Sequence, residues 1–145
     1  MAKLGSSSGW SSNFCEDLTE TKQLSPSDSG KVLFLNATTE FTTTLPSVAD
    51  AGAGWNCKII VKGAPDGAAY VVTEKTADDT NIIITNGINE LEVDTRDDGP
   101  SNTGHTTITF ADGVTIAGDW VELICDGTNY YCTGQTKADC GITLA

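Results

Sequence analysis

Gly118-Asp119-Trp120-Val121-Glu122-Leu123-Ile124-Cys125-Asp126-Gly127-Thr128-Asn129-Tyr130-Tyr131-Cys132-Thr133-Gly134 is the stretch that decides the fold class. Two β-prone segments flank Asp126-Gly127-Thr128-Asn129, and Asp and Gly tolerate the positive φ that a tight hairpin turn demands. The stretch predicts an antiparallel hairpin. Working upstream, further short strands are predicted at 32–35, a continuous apolar run ended by Asn36, and at 40–45, closed by Pro46. A proline there fits an edge or a strand terminus. Residues 55–62 alternate loosely around Cys57, Ile59 and Val61, and 69–73 follow the turn Pro65-Asp66-Gly67. Residues 81–85 run into Asn86-Gly87, a hairpin signal, with 88–93 as the return strand. Residues 106–110 and 113–116 complete about eight to ten short strands. Evenly spaced short strands with Gly-rich turns predict an all-β domain, an antiparallel β-sandwich or jelly roll. No helical pattern follows residue 30.

Residues 1–30 differ from the rest, being rich in Ser and Gly before the turn cluster Ser25-Pro26-Ser27-Asp28-Ser29-Gly30. Between these, Trp10, Phe14 and Leu18 are spaced four apart, one face of a helix. Asn13 and Glu16 have the spacing of a capping box. The expectation is an N-terminal arm over 1–30 carrying a two-turn helix near 13–22, followed by a β-domain over 31–145. So short a helix must dock on something. Trp10, Phe14 and Leu18 are its candidate anchors, set either against the chain's own domain or against a neighbouring subunit.

The chain has 145 residues, enough for one domain that hides about 70% of its unfolded surface. Its net charge is −12, from 20 acids and 8 bases, and Arg96 is the one arginine. Nucleic-acid binding needs clustered Lys and Arg, so that function is not expected. No run reaches the roughly 20 apolar residues of a membrane helix. The start, Met1-Ala2-Lys3-Leu4-Gly5-Ser6-Ser7-Ser8, lacks the apolar core of a secretory signal, so no export and no membrane are expected.

Five cysteines leave at least one thiol unpaired within a monomer: Cys15, Cys57, Cys125, Cys132 and Cys140. With a four-residue loop over 126–129, Cys125 faces Tyr130 and meets Cys132 only diagonally, at about 7 Å. That is marginal for a disulfide. Free thiols acting as small apolar residues are expected, as suits a reducing cytoplasm. The acidic loop Asp94-Thr95-Arg96-Asp97-Asp98-Gly99 has part of a calcium-loop pattern. Arg96 occupies a ligand position and His105 stands where the closing Glu belongs, so no metal is expected. His105, the one histidine, has no nucleophile motif beside it and is expected at a strand start facing solvent. Asp119 and Glu122 are three apart, which puts them on opposite faces of a strand. No catalytic residue and no cofactor are expected. Trp55, Trp120, Tyr70, Tyr130 and Tyr131 invite a sugar-stacking reading, against which stands their expected place in a thin core.

Leu45-Pro46, the small-residue linker Ala51-Gly52-Ala53-Gly54-Trp55 and the closing Asp-Gly-Thr-Asn-aromatic hairpin together resemble a module of tailed-bacteriophage structural proteins. The resemblance covers roughly residues 32–134. It implies a virion protein that decorates, or cements, the outer capsid surface, binding the major capsid protein as a symmetric oligomer, typically a homotrimer. It equally admits a tail- or head-fibre domain that recognises a host surface glycan or protein. The cysteines and the acidic loop at 94–104 depart from the module.

Overall fold

The computed structural model describes residues 14–75, 78–80, 82–92 and 104–145, with the backbone of 95–97. Strands come in chain order as β1 (Cys15–Leu18), β2 (Lys22–Gln23), β3 (Lys31–Leu35), β4 (Phe41–Thr44), β5 (Asn56–Val61) and β6 (Tyr70–Thr73). They continue as β7 (Ile83–Thr85), β8 (Ile88–Glu90), β9 (Thr95–Asp97), β10 (Thr107–Phe110), β11 (Trp120–Cys125), β12 (Tyr130–Thr136) and β13 (Ile142–Leu144). A larger sheet runs β1-β3-β5-β11-β12-β8-β9, with β7 also on β12, and a smaller one runs β13-β10-β6-β4-β2. The fold is an all-β, sandwich-like pair of sheets, as the sequence predicts. No helix among the described residues is long and apolar enough to cross a membrane.

Strand direction is where expectation and structure part. The first six strands alternate between the sheets, so that β1, β3 and β5 lie parallel in one and β2, β4 and β6 lie parallel in the other. Each pass through the smaller sheet is the crossover that lets the next strand of the larger sheet run the same way. Both sheets are therefore mixed, not antiparallel throughout. Alternation along a strand has period two in either case, which is why the pattern cannot report direction. The later strands do pair antiparallel, β11 with β5 and with β12, and β10 with β6 and β13.

Three local expectations are corrected. Residues 15–18 and 22–23 are strands, not a helix. A spacing of four is also an even number, so it marks one face of a strand as readily as one face of a helix. These strands join both sheets, and Leu18 and Leu24 are buried in the core, so a boundary at residue 30 falls inside the packed structure. Asn86-Gly87 is not a hairpin: β7 and β8 both run parallel to β12, Thr85 against Cys132 and Asn89 against Gln135. Four steps along one chain oppose three along the other, the signature of a bulge, and Gly87 takes φ 109 to make it. Residues 113–116 form turns instead of a strand. In addition, a short helix, α1 (Val48–Ala51), stands in the linker, with Ser47 Oγ accepting the Asp50 N–H at 3.2 Å.

Between the sheets the core holds Leu33, Leu35, Ile59, Val61, Val121 and Leu123 from one side and Phe41, Tyr70, Val72, Ile108 and Phe110 from the other. Its large polar tips are satisfied. Tyr130 donates its hydroxyl to the Pro46 carbonyl at 2.7 Å, Tyr70 to that of Gly63 at 2.8 Å, and Trp55 Nε1 to that of Ser25 at 3.1 Å.

Candidate functional site

The hairpin that opens the sequence argument lies in the middle of the larger sheet and organises its outward face. Cys125 pairs with Tyr130 and the loop is 126–129, in the register expected. Asp126 Oδ1 accepts the N–H groups of Thr128 and Asn129, both at 2.8 Å, and these bonds hold its carboxyl below the usual range. Inward from β11 and β12 point Val121, Leu123, Cys125, Tyr130 and Cys132, all buried. The alternate residues must then point out: Trp120, Glu122 and Ile124 from β11, and Tyr131, Thr133 and Gln135 from β12.

Register extends this face across the sheet. Phe34, Ile60 and Trp120 lie side by side on β3, β5 and β11, with Asp17 at the β1 end of the row and Gln135 at the β12 end. A second row runs Cys15, Val32, Lys58, Glu122, Thr133. Ile124 sits opposite Tyr131, and they are 49% and 47% exposed. The Lys58 ammonium lies 4.2 Å over the Trp120 ring, and Lys62, which pairs with Asp17 at 2.5 Å, lies 6.0 Å from Phe34. A sheet face turned to water ordinarily carries polar residues; here one row, Phe34, Ile60 and Trp120, is apolar, while the next has Lys58 and Glu122 at its centre. Its charges are Lys58 and Lys62 against Asp17 and Glu122, with Asp126 a further carboxylate at the hairpin end, bonded to the Tyr131 side chain.

Of the anchors expected in the arm, Phe14 is half-exposed at the start of β1, and Trp10 lies outside the described residues. Leu18 is corrected: at 3% exposure it fills the chain's own core and is not free to reach a partner. Beside it, Glu16 and Lys31 turn to the core side of β1 and β3 and join Lys22 and Asp28. Lys31 donates to Glu16 and to Asp28, each at 2.7 Å, and Lys22 donates to Glu16. The bonds from Lys22 and Lys31 pull the Glu16 carboxyl down. Burial pushes Asp28 up, but the bonds from Lys31 and from Ser25 outweigh it and lower it overall. This quartet closes the end of the core where β1 and β2 are edge strands. Inward charge on an edge strand discourages another chain from adding to it.

The remaining groups mostly serve the fold. Asp119 is buried and accepts from Ile116 N–H, Thr136 Oγ1 and Lys137 N–H at 3.0, 3.0 and 2.9 Å, which fixes the entry to β11. Glu122 faces outward, apart from it. His105 does not face solvent freely: it is half-buried, bridges to Ile83, and its Nε2 is out of water without a hydrogen-bond partner among the described residues. The calcium-like loop lies largely outside the described residues; the backbone of 95–97 pairs with β8. Glu90, Asp139 and Cys140 bring ligand-type atoms within 4.8 Å of one another, but Glu90 already accepts the Cys140 N–H at 2.6 Å. No disulfide joins any two of the five cysteines. Trp55, Tyr70 and Tyr130 belong to the core, whereas Trp120 and Tyr131 stand on the outward face.

That face is the feature sequence reasoning did not assemble. Its residues lie far apart along the chain, and only the pairing of β3, β5, β11 and β12 sets them together. The class that the fold defines is a two-sheet, sandwich-like all-β protein. No protein-family model, no curated protein and no solved structure matches the chain.

Proposed function

We propose that the protein is a virion structural protein, a capsid decoration protein that binds the outside of a phage head as a homo-oligomer and reinforces it. The observation that carries this reading is the cluster of large apolar side chains on the outward face of the larger sheet, with Lys58 and Lys62 among its carboxylates, on a chain whose net charge is −12. Such a face is built for contact with protein. The resemblance of 32–134 to phage structural modules supplies the kind of particle, and the proposed partners are the major capsid protein and further copies of the chain. Multivalency does the mechanical work: once one subunit is seated, the others bind intramolecularly, so weak contacts add to firm attachment. The role is non-enzymatic and needs no cofactor.

The test is to mix purified protein with capsids that lack it and to image the particles. Density repeating with the capsid lattice, together with greater resistance of the shell to heat, is the expected result. Density confined to the tail, or none, rejects decoration. A second reading, a fibre domain that binds a host glycan or protein, draws on Trp120 and Tyr131, whose rings stand on the outward face where a sugar can stack. Label found only at fibre tips would favour it.

A further inference from the structure

We propose that the outward face of the larger sheet packs against the same face of another copy of this chain. The inference deepens the reading above by naming the partner of that face, and it rests on that reading only for the particle on which the oligomer acts.

The two sheets differ in what they turn outward. The outward positions of the smaller sheet carry Thr42, Thr44, Thr73, Thr107, Thr109 and Thr143, with Val71 the apolar exception. Hydroxyl-bearing β-formers are what a water-facing sheet calls for. The equivalent positions of the larger sheet hold Val32, Phe34, Ile60, Trp120, Ile124 and Tyr131 beside Asn56, Lys58, Glu122, Thr133 and Gln135. One chain thus builds one face of threonines and the other with six large apolar side chains set among polar ones.

Charge selects the occupant. Two chains of charge −12 repel each other, and they meet best where cations stand among the carboxylates. On this face Lys58 stands opposite Glu122 in register and Lys62 pairs with Asp17. Such a surface is complementary to itself, because each cation can turn to the facing copy's carboxylate while its own is satisfied in return. An anionic partner would meet three carboxylates here, Asp17, Glu122 and Asp126, and a cationic one would do better on the acidic remainder of the surface. Twisted sheets pack face to face at about 10 Å with their side chains interleaved. Ile124 and Tyr131, the most exposed of the set, are then the first to leave water.

The experiment uses the full chain carrying Ile124→Thr together with Tyr131→Thr, both polar β-formers, with Thr109→Glu on the opposite sheet as control. Light scattering across a concentration series reads the oligomer, thermal melting reads the fold, and capsid pelleting reads attachment. The wild type and the control are expected to self-associate, and the double variant to associate at least about 100-fold more weakly with its melting temperature kept. Should the double variant misfold, Ile124→Thr alone tests the same face with less disturbance. An oligomer that survives in folded variants overturns the face assignment. A wild type that is monomeric at every concentration and on the particle overturns self-association, leaving the face to the capsid or to residues 1–13 of the same chain. Capsid pelleting of the wild type decides the decoration reading separately in either case.

Discussion

A Cβ built on Gly134 would lie 2.6 Å from the Trp120 carbonyl oxygen and 2.9 Å from Val121 Cγ1. Gly134 faces Val121 across the central strand pair, so neither neighbour can step aside without shifting β11. Gly134→Ala is expected to cost about 1–3 kcal/mol, measured by urea unfolding. The thiols give a second test at this scale. Burial pushes Cys132 up to about 12 and raises Cys57 and Cys125 as well, whereas Cys15 and Cys140 are exposed. A thiolate is the reactive form. A thiol reagent added to the native protein at neutral pH should label Cys15 and Cys140 promptly and the other three only on unfolding. Prompt labelling of Cys57 or Cys132 would contradict the core described here. The sequence foretold the unpaired state of Cys125 and Cys132 through hairpin register. It could not foretell which thiols are buried, because that depends on which face of each strand meets the second sheet.

At the scale of the element, the quartet at the first pair of strands has a definite pH signature. Glu16 and Asp28 are held below their ordinary values of 4.5 and 3.8. The unfolded chain therefore takes up protons first, and the stabilisation is complete above the unfolded values and lost as pH falls through the folded ones. Lys31 is raised above 10.5, so its contribution is full below that value and is lost only in strong alkali. Asp79 works the other way: burial raises it, against the bond from the Val48 N–H, so acid relieves a cost there. Lys31→Met should lower stability at pH 7 by about 1 kcal/mol, a modest figure because the quartet is partly in water. It should also flatten the fall in stability below about pH 4. Unchanged acid sensitivity in that variant, read by melting across pH, would count against the quartet as its source.

For the whole molecule, the coiled path of the first six strands makes the N-terminal coil part of the core. Deleting residues 1–24 removes β1 and β2 with Leu18 and Leu24, each of which contributes roughly 1.5–3 kcal/mol by burial. That truncation is expected to melt far lower or to fail to fold. Deleting residues 1–12 instead spares every strand and is expected to keep the melting temperature. If Trp10 is an anchor, the shorter deletion should weaken capsid pelleting. Unaltered pelleting would remove the N-terminal segment from the attachment.

The sequence by itself determined the class of fold, most strand positions after residue 30 and the hairpin at 126–129. These follow from local chemistry: alternation of period two, and turn residues that accept positive φ at Gly127. Only the tertiary structure decided strand direction, the bulge at Asn86-Gly87, the place of Leu18 in the core and the assembly of the outward face. Whether a strand lies parallel or antiparallel depends on where the connection carries the chain, and one side-chain pattern serves both. A face is likewise a property of pairing. Phe34, Ile60 and Trp120 become neighbours only when three strands drawn from distant parts of the chain align in register.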